Sequence, residues 1–293
     1  MALRFDRTLE APYGEAISLS PYIARLLAPN PGPFTFKGTG VYLVGAGNRI
    51  AVIDPGPDLP AHIAALKQAI GARAISHILI THTHRDHSPA AAALKAWSGA
   101  KTYAAGPHGT AAGEVEEGAD RDFRPDVIVK DGEAIAGDGC TFTCVATPGH
   151  TANHMCYALK EEQALFCGDH VMGWSTSVVA PPDGDMAAYL ASLEKLIARG
   201  DTLLYPTHGS PITRPEEYLR GLLAHRRSRE AQILNALMPA RDTAAALAAH
   251  LYPDIDDKLR GAATSQVQAH LEHLANQGVL AVLPGARYAR ISR

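Results

Sequence analysis

No run in these 293 residues approaches the ~20 consecutive apolar residues that a bilayer-spanning helix needs, so no membrane segment is expected. Residues 1–16 contain neither an apolar core nor a small-residue cleavage site, so no secretory leader is expected either. Cysteine is scarce: Cys140, Cys144, Cys156 and Cys167 are the only four, and no two stand in a CxxC pair. A chain of this length buries a large core without disulfides, so reduced thiols and a cytoplasmic location are expected. Charge of one sign is lacking too. A formal net charge of −3 gives no sign of a general nucleic-acid or membrane binder. Aromatic residues make up 6% and form no stripe with basic residues of the kind that stacks single-stranded bases. What is abundant is apolar: 46% of the chain, enough for a substantial globular core.

The apolar residues come in short runs that end in groups able to bind metal. Residues 49–53 (RIAVI) lead into Asp54-Pro55-Gly56, and residues 77–80 (HILI) lead into Thr81-His82. Residues 142–146 (FTCVA) end at Thr147-Pro148-Gly149-His150, residues 164–167 (ALFC) at Gly168-Asp169, and residues 202–205 (TLLY) at Pro206-Thr207-His208-Gly209. Such runs are strand signals. Residues 34–44 alternate as an antiparallel strand would, with residues 45–48 (GAGN) as its hairpin turn. Helical patterns lie at residues 59–70, 89–97 and 186–198, and strands alternating with helices predict an α/β fold. After His208 the pattern changes to helices at residues 215–237, 243–251 and 262–277. Gly278 follows as a helix cap, then a β-pair around Pro284-Gly285. Three helices and a small hairpin predict a winged helix. The boundary falls at 222, giving a catalytic domain over 1–222 and a small C-terminal domain over 223–293.

The stretch Thr81-His82-Thr83-His84-Arg85-Asp86-His87 crowds three imidazoles and a carboxylate into one turn. Imidazole and carboxylate suit Zn²⁺, and manganese or iron would also accept such a site. His82 and His84, two residues apart, can face one ion while Asp86 and His87 turn to a neighbour. Each shell needs more ligands: His150 for the first ion, His208 for the second, Asp169 as a shared carboxylate. Any one of these histidines alone would be an ordinary surface or core residue. The coincidence of the whole set with strand ends is what predicts a dinuclear site, whose ions would sit ~3.5–4 Å apart. A hydroxide shared by the two ions is the expected nucleophile, with Asp86 accepting its proton and Asp169 holding both ions.

The series THTHRDH, TPGHT, CGD and PTHG, preceded by VIDPG at residues 52–56, resembles the metallo-β-lactamase superfamily over roughly residues 18–215. The resemblance implies an αββα sandwich with two zinc ions at one edge. It assigns His82, His84 and His150 to the first ion, Asp86, His87 and His208 to the second, and Asp169 to both. Asp54 takes the place of a buried aspartate that orients the ligand loop from behind. Residues 225–234 (HRRSREAQIL), Tyr252-Pro253 and residues 266–279 (QVQAHLEHLANQGV) resemble the branch typified by β-lactamase-like protein 2, which carries a winged-helix tail. Asp185, Tyr189, Ser192 and Leu193 continue that match. The branch usually reads PGHG where this chain has PTHG, and Thr207 would narrow the approach to the second ion.

The resemblance implies a hydrolase, and the branch implies cleavage of single-stranded RNA. Arg226, Arg227 and Arg229 could then contact phosphates, or form the solvated face of a helix. A small-molecule hydrolase of a thioester (glyoxalase II-like), lactone or β-lactam is the alternative, and a non-catalytic winged-helix regulator is the third. His154 and Trp174 are possible contacts to substrate, although a structural role competes for each. His170 should point away from the metals. His225, His250, His270 and His273 are read as unrelated to them. The oligomeric state is left open, a homo-oligomer included.

Overall fold

The computed structural model describes residues 3–109, 118–137 and 139–291. Seven strands form the first sheet in sequence order: β1 (Ala16–Ser18), β2 (Ile23–Leu27), β3 (Gly40–Val44), β4 (Arg49–Ile53), β5 (Ala74–Leu79), β6 (Thr102–Ala104) and β7 (Val127–Ile128). The first three pairings are antiparallel and the last three parallel. The second sheet holds β8 (Ala134–Ala136), β9 (Thr141–Ala146), β10 (Met155–Leu159), β11 (Ala164–Gly168) and β12 (Leu203–Pro206), in reverse spatial order.

Side-chain alternation explains the layers. In β3, Tyr42 and Val44 point inward and meet Phe142, Tyr157 and Phe166 of the second sheet. Val41 and Leu43 point outward, toward the layer of α1 (Pro60–Ile70) and α2 (Ala90–Ser98). In β10, Cys156 and Ala158 point outward to α3 (Met186–Arg199) and α4 (Pro215–Ala236). The result is an αββα sandwich. Both faces of its central strands are buried, which is why they read as apolar runs instead of alternating patterns.

The strand expected over residues 34–44 is shorter: β3 starts at Gly40, and residues 32–39 form a turn. Gly32 and Phe36 exchange backbone hydrogen bonds across that turn, and Phe36 adopts φ +56°. The turn at residues 45–48 joins β3 to β4 as expected.

The C-terminal part comprises the end of α4, α5 (Ala244–Leu251), α6 (Arg260–Asn276) and the hairpin of β13 (Leu280–Leu283) with β14 (Arg287–Arg290). Gly278, at φ +71°, ends α6: its N–H bonds to the Ala275 carbonyl, and the Val279 N–H to that of Leu274. The expected boundary at 222 falls inside α4. Leu219, Leu222 and Leu223 pack on the sandwich, while Ile233 and Ala236 belong to the C-terminal core. Ala269 of α6 also joins the sandwich cluster, so the two parts are packed together. Among the described residues no helix is long and apolar enough to cross a membrane.

Candidate metal centre

Five strand ends meet at one edge of the sandwich. The Met155 N–H donates to the Thr81 carbonyl at 2.7 Å and ties the two sheets together there. Asp54 follows β4 in a left-handed conformation, φ +47°. Its buried carboxylate accepts from the Thr81 N–H at 2.8 Å and the Thr81 hydroxyl at 2.7 Å. The Thr81–His87 turn is thereby fixed to the neighbouring strand. At the end of β11 a register shift turns the chain so that Asp169 enters the edge.

His82 Nε2 and His150 Nε2 stand 2.9 and 3.2 Å from His84 Nδ1. Asp86 Oδ2 lies 3.0 Å from His208 Nε2 and 3.4 Å from His87 Nε2. Asp169 Oδ2 stands between the two groups, 3.9 Å from His150 Nε2, 3.6 Å from His87 Nε2 and 3.4 Å from His208 Nε2. The ligand atoms of His82, His84 and His150 all lie within 4.8 Å of one another, as do those of Asp86, His87 and His208, and those of His82, His87 and Asp169. All seven side chains expected from the sequence thus face one spot.

Four of the imidazoles are set the same way. His150 Nδ1–H donates to the Val178 carbonyl at 2.6 Å, and His208 Nδ1–H to the Gly38 carbonyl at 3.0 Å. His87 Nδ1–H donates to Asp54 Oδ2 at 2.9 Å. The Thr81 hydroxyl donates its proton to Asp54, so its oxygen accepts from His82 Nδ1–H at 3.1 Å. Each partner fixes the tautomer that leaves Nε2 as a lone-pair donor toward the centre.

The electrostatics divide the site. Burial and the neighbouring imidazoles hold His82 far below its usual pKa, and burial followed by His84 brings His150 down to about 4. On the other side burial opposes charge on His208, but Asp169 and Asp86 outweigh it and raise the imidazole to about 10. Burial likewise opposes charge on His87, and Asp86, Asp169 and Asp54 together raise it well above its usual value. Burial opposes ionisation of Asp86 and Asp169, yet His87 and His208 hold both carboxylates well below their usual range. One buried and one partly buried carboxylate therefore demand positive charge here, which a divalent cation supplies in place of protons. His87 Nε2 and Asp169 Oδ1 are buried and have no hydrogen-bond partner among the described residues, as groups meant for a cation should be. The residues fit a pair of metal ions.

Other expectations change. His154 does not line a cleft: it is 1% exposed, its Nδ1 meets the Thr147 hydroxyl at 2.8 Å, and its Nε2 accepts the His170 N–H at 3.2 Å. Its ring stacks behind His82. The PGH segment leaves room for no side chain behind it, because a Cβ on Gly149 would come 2.3 Å from the Tyr189 Cα. Thr207 does not narrow the approach to the centre; its hydroxyl turns inward and donates to Asp54 Oδ2 at 3.2 Å. His170 is fully buried against Tyr189, as the sequence suggested. Arg226 contacts neither phosphate nor solvent: it is buried, with its guanidinium 4.9 Å over the Tyr189 ring. Arg227 pairs with Glu194 at 3.2 Å, and Arg229 lies 4.5 Å over the Tyr252 ring.

Trp174 is partly exposed and stacks on Phe36 at 4.9 Å. The Gly173 N–H donates to the His208 carbonyl, and Gly38 on the Phe36 turn accepts from His208 Nδ1, so both segments that carry the ring pair are tied to His208. Sequence reasoning missed Phe36, and it missed Thr39, whose hydroxyl donates to Asp86 Oδ2 at 3.4 Å. Neither carries a local motif.

Comparison with known proteins agrees with this architecture. The metallo-beta-lactamase superfamily pattern matches residues 35–208, and the beta-lactamase associated winged helix domain matches residues 243–283. The chain is 35% identical over 266 residues to the beta-lactamase-like protein 2 homolog of Caenorhabditis elegans, covering 89% of this chain and 87% of that one. It is 32% identical over 252 residues to an atrochrysone carboxyl ACP thioesterase of Paecilomyces divaricatus, covering 85% and 75%. The crystal structure of a metallo-beta-lactamase family protein from Thermus thermophilus superposes with a TM-score of 0.78 at 26% identity, over 94% of this chain and 100% of that one. By these matches the chain belongs to the metallo-beta-lactamase superfamily of hydrolases and carries the winged helix domain associated with it.

Proposed function

We propose that this enzyme is a dinuclear, zinc-dependent thioester hydrolase. Its substrate is an acyl group of aromatic or otherwise flat apolar character, carried on a thiol such as a pantetheine arm. The observation that carries the substrate class is the partly exposed Phe36–Trp174 stack, whose two segments each hydrogen-bond to His208 through Gly38 and Gly173. Phe34, on the same turn, adds a second apolar side chain that is 48% exposed. Relatives named as acyl-carrier thioesterases agree with it. The RNA reading keeps the likeness to the beta-lactamase-like protein 2 homolog but loses one of its three arginines, because Arg226 is buried while Arg227 stays exposed in its pair with Glu194.

When bound, the two ions lower the pKa of water and polarise the scissile carbonyl. His82, His84 and His150 would hold one ion, Asp86, His87 and His208 the other, and Asp169 both. Asp86 is the more exposed carboxylate, with its side chain 24% accessible against 10% for Asp169. Its Oδ2, steadied by the Thr39 hydroxyl, takes a proton from the attacking water and returns it to the departing thiolate. Water adds to the acyl carbon, the C–S bond breaks, and a carboxylic acid and a free thiol leave. The four unbridged, buried cysteines fit a reducing compartment, and we place the enzyme in the cytoplasm.

The test is a paired assay of the zinc-loaded enzyme on aromatic and aliphatic acyl-CoA thioesters and on single-stranded RNA. Thiol release that is lost in Asp169→Ala is expected. Salt-sensitive RNA cleavage without thiol release would overturn the proposal.

A further inference from the structure

His150 is oriented by the Val178 carbonyl, and Val178 lies in an irregular segment between β11 and α3. Irregular backbone is a poor support for a ligand unless something holds it. The C-terminal helices hold it on both sides. Arg226 Nη2 of α4 donates to the Ser177 carbonyl, and Gln266 Oε1 of α6 accepts the Val179 N–H at 3.1 Å. The start of the segment is fixed by the sandwich: the Ser177 and Tyr189 hydroxyls donate to the His170 carbonyl at 2.9 and 3.1 Å. The Arg226 guanidinium lies over that same Tyr189 ring.

This arrangement is costly if its purpose is stability alone. Arg226 is 2% exposed; among the described residues neither its Nε nor Gln266 Nε2 has a hydrogen-bond partner. Apolar side chains of similar volume would fill the space at lower desolvation cost. What the two polar side chains supply is a fixed position for residues 177 and 179, hence for the carbonyl between them. We propose that Arg226 and Gln266 are positioning residues for His150, through which the winged-helix part sets the geometry of the three-histidine cluster. The inference rests on the metal reading of that cluster. It gives the tail a role in the site without any contact to substrate.

The experiment uses the full-length protein, stripped of metal and titrated with Zn²⁺ by calorimetry and with Co²⁺ by visible absorption. Gln266→Ala should weaken one of the two binding steps several-fold, less than the about 10- to 100-fold that losing a ligand's own partner costs, and alter the Co²⁺ spectrum of that step. The other step should keep its affinity. Gln266→Glu keeps an oxygen for the Val179 N–H and should restore binding. Arg227→Ala, which removes only the exposed pair with Glu194, should change nothing. Arg226→Ala risks the fold, so the Gln266 pair decides the matter, with the melting temperature of each metal-free variant measured alongside. Wild-type affinity at both steps in Gln266→Ala overturns the inference. So does a loss that tracks the fall in melting temperature and is not rescued by Gln266→Glu. Wild-type protein that binds no metal would overturn the dinuclear reading itself, and this inference with it.

Discussion

Asp54 Oδ2 accepts the Nδ1–H of His87 at 2.9 Å, between two residues that are both almost fully buried. The same carboxylate also takes three hydrogen bonds from Thr81 and Thr207. One side chain thus holds the ligand turn after β5, the ligand turn after β12 and the tautomer of a ligand.

Asp54→Asn should therefore be damaging even though it is isosteric. Its amide can accept at one atom only, which leaves at least one buried donor unsatisfied at about 1–3 kcal/mol. With the His87 orientation loosened, metal affinity should fall by roughly 10- to 100-fold. Urea unfolding and zinc titration check the two effects. An unchanged zinc affinity would remove Asp54 from the account of the site.

Adding zinc to the chelated protein should raise its thermal stability, because a cation bound to the folded centre would offset the charge of Asp86 and Asp169. At free zinc of about 100 times the dissociation constant the gain is roughly 2.7 kcal/mol. At about 2–4 °C per kcal/mol that is a rise of roughly 5–10 °C in melting temperature over the chelated protein. No shift on zinc addition would contradict the centre described here.

Gly149→Ala should prevent correct folding. The glycine has φ +138°, and its Cβ would meet Tyr189 backbone atoms at 2.3 and 2.5 Å. Neither backbone can yield without moving His150 or the start of α3, where the Asp185 N–H donates to the Gly149 carbonyl. A cost of about 3 kcal/mol or more is expected. Soluble yield and the unfolding midpoint report it; a variant as stable as the parent would contradict the packing.

Trp174→Ala should remove one half of the aromatic stack and leave the charged centre intact. For an aromatic acyl thioester the loss should be about 0.5–1.5 kcal/mol, seen as a roughly 2- to 12-fold higher KM with kcat little changed. Short aliphatic thioesters should be almost unaffected. Equal losses for both classes would assign Trp174 a purely structural role.

Asp126 gives a prediction in pH. Its bonds to the Lys95 ammonium and to the Thr102 N–H and hydroxyl hold its carboxyl down at about 2. A lowered folded-state pKa stabilises above the unfolded value near 4 and loses that contribution as pH falls toward 2. The Lys95 side chain is 47% exposed, so solvent screening limits the ion pair's contribution to about 1 kcal/mol or less. Asp126→Asn should thus destabilise slightly at pH 7, with the gap to wild type closing between pH 4 and pH 2. A gap independent of pH would show that the ionised form contributes nothing.

The strand-end pattern made much of this legible. Residues 49–53, 142–146 and 164–167 read as strands because short apolar runs are bounded by Gly and Pro, and all three are strands in the sandwich. β10 (Met155–Leu159) does not read as a strand, because it is a short apolar run with neither Gly nor Pro beside it and no metal-binding group at its end. Arg226 is hidden for another reason. In an arginine-rich helix the sequence cannot tell which arginine faces an adjacent domain, and α4 runs unbroken from one core to the other across the expected boundary.

By itself the sequence determined which groups can hold metal and that they end strands, since motif spacing and apolar runs are local properties. Only the tertiary structure decided which atom each imidazole presents, because the Val178, Gly38 and Asp54 acceptors come from 28, 170 and 33 residues away. It also decided that His154 serves His82 from behind and that the tail reaches His150 through residues 177–179. Such pairings depend on how distant segments close around one another, and no local pattern encodes them.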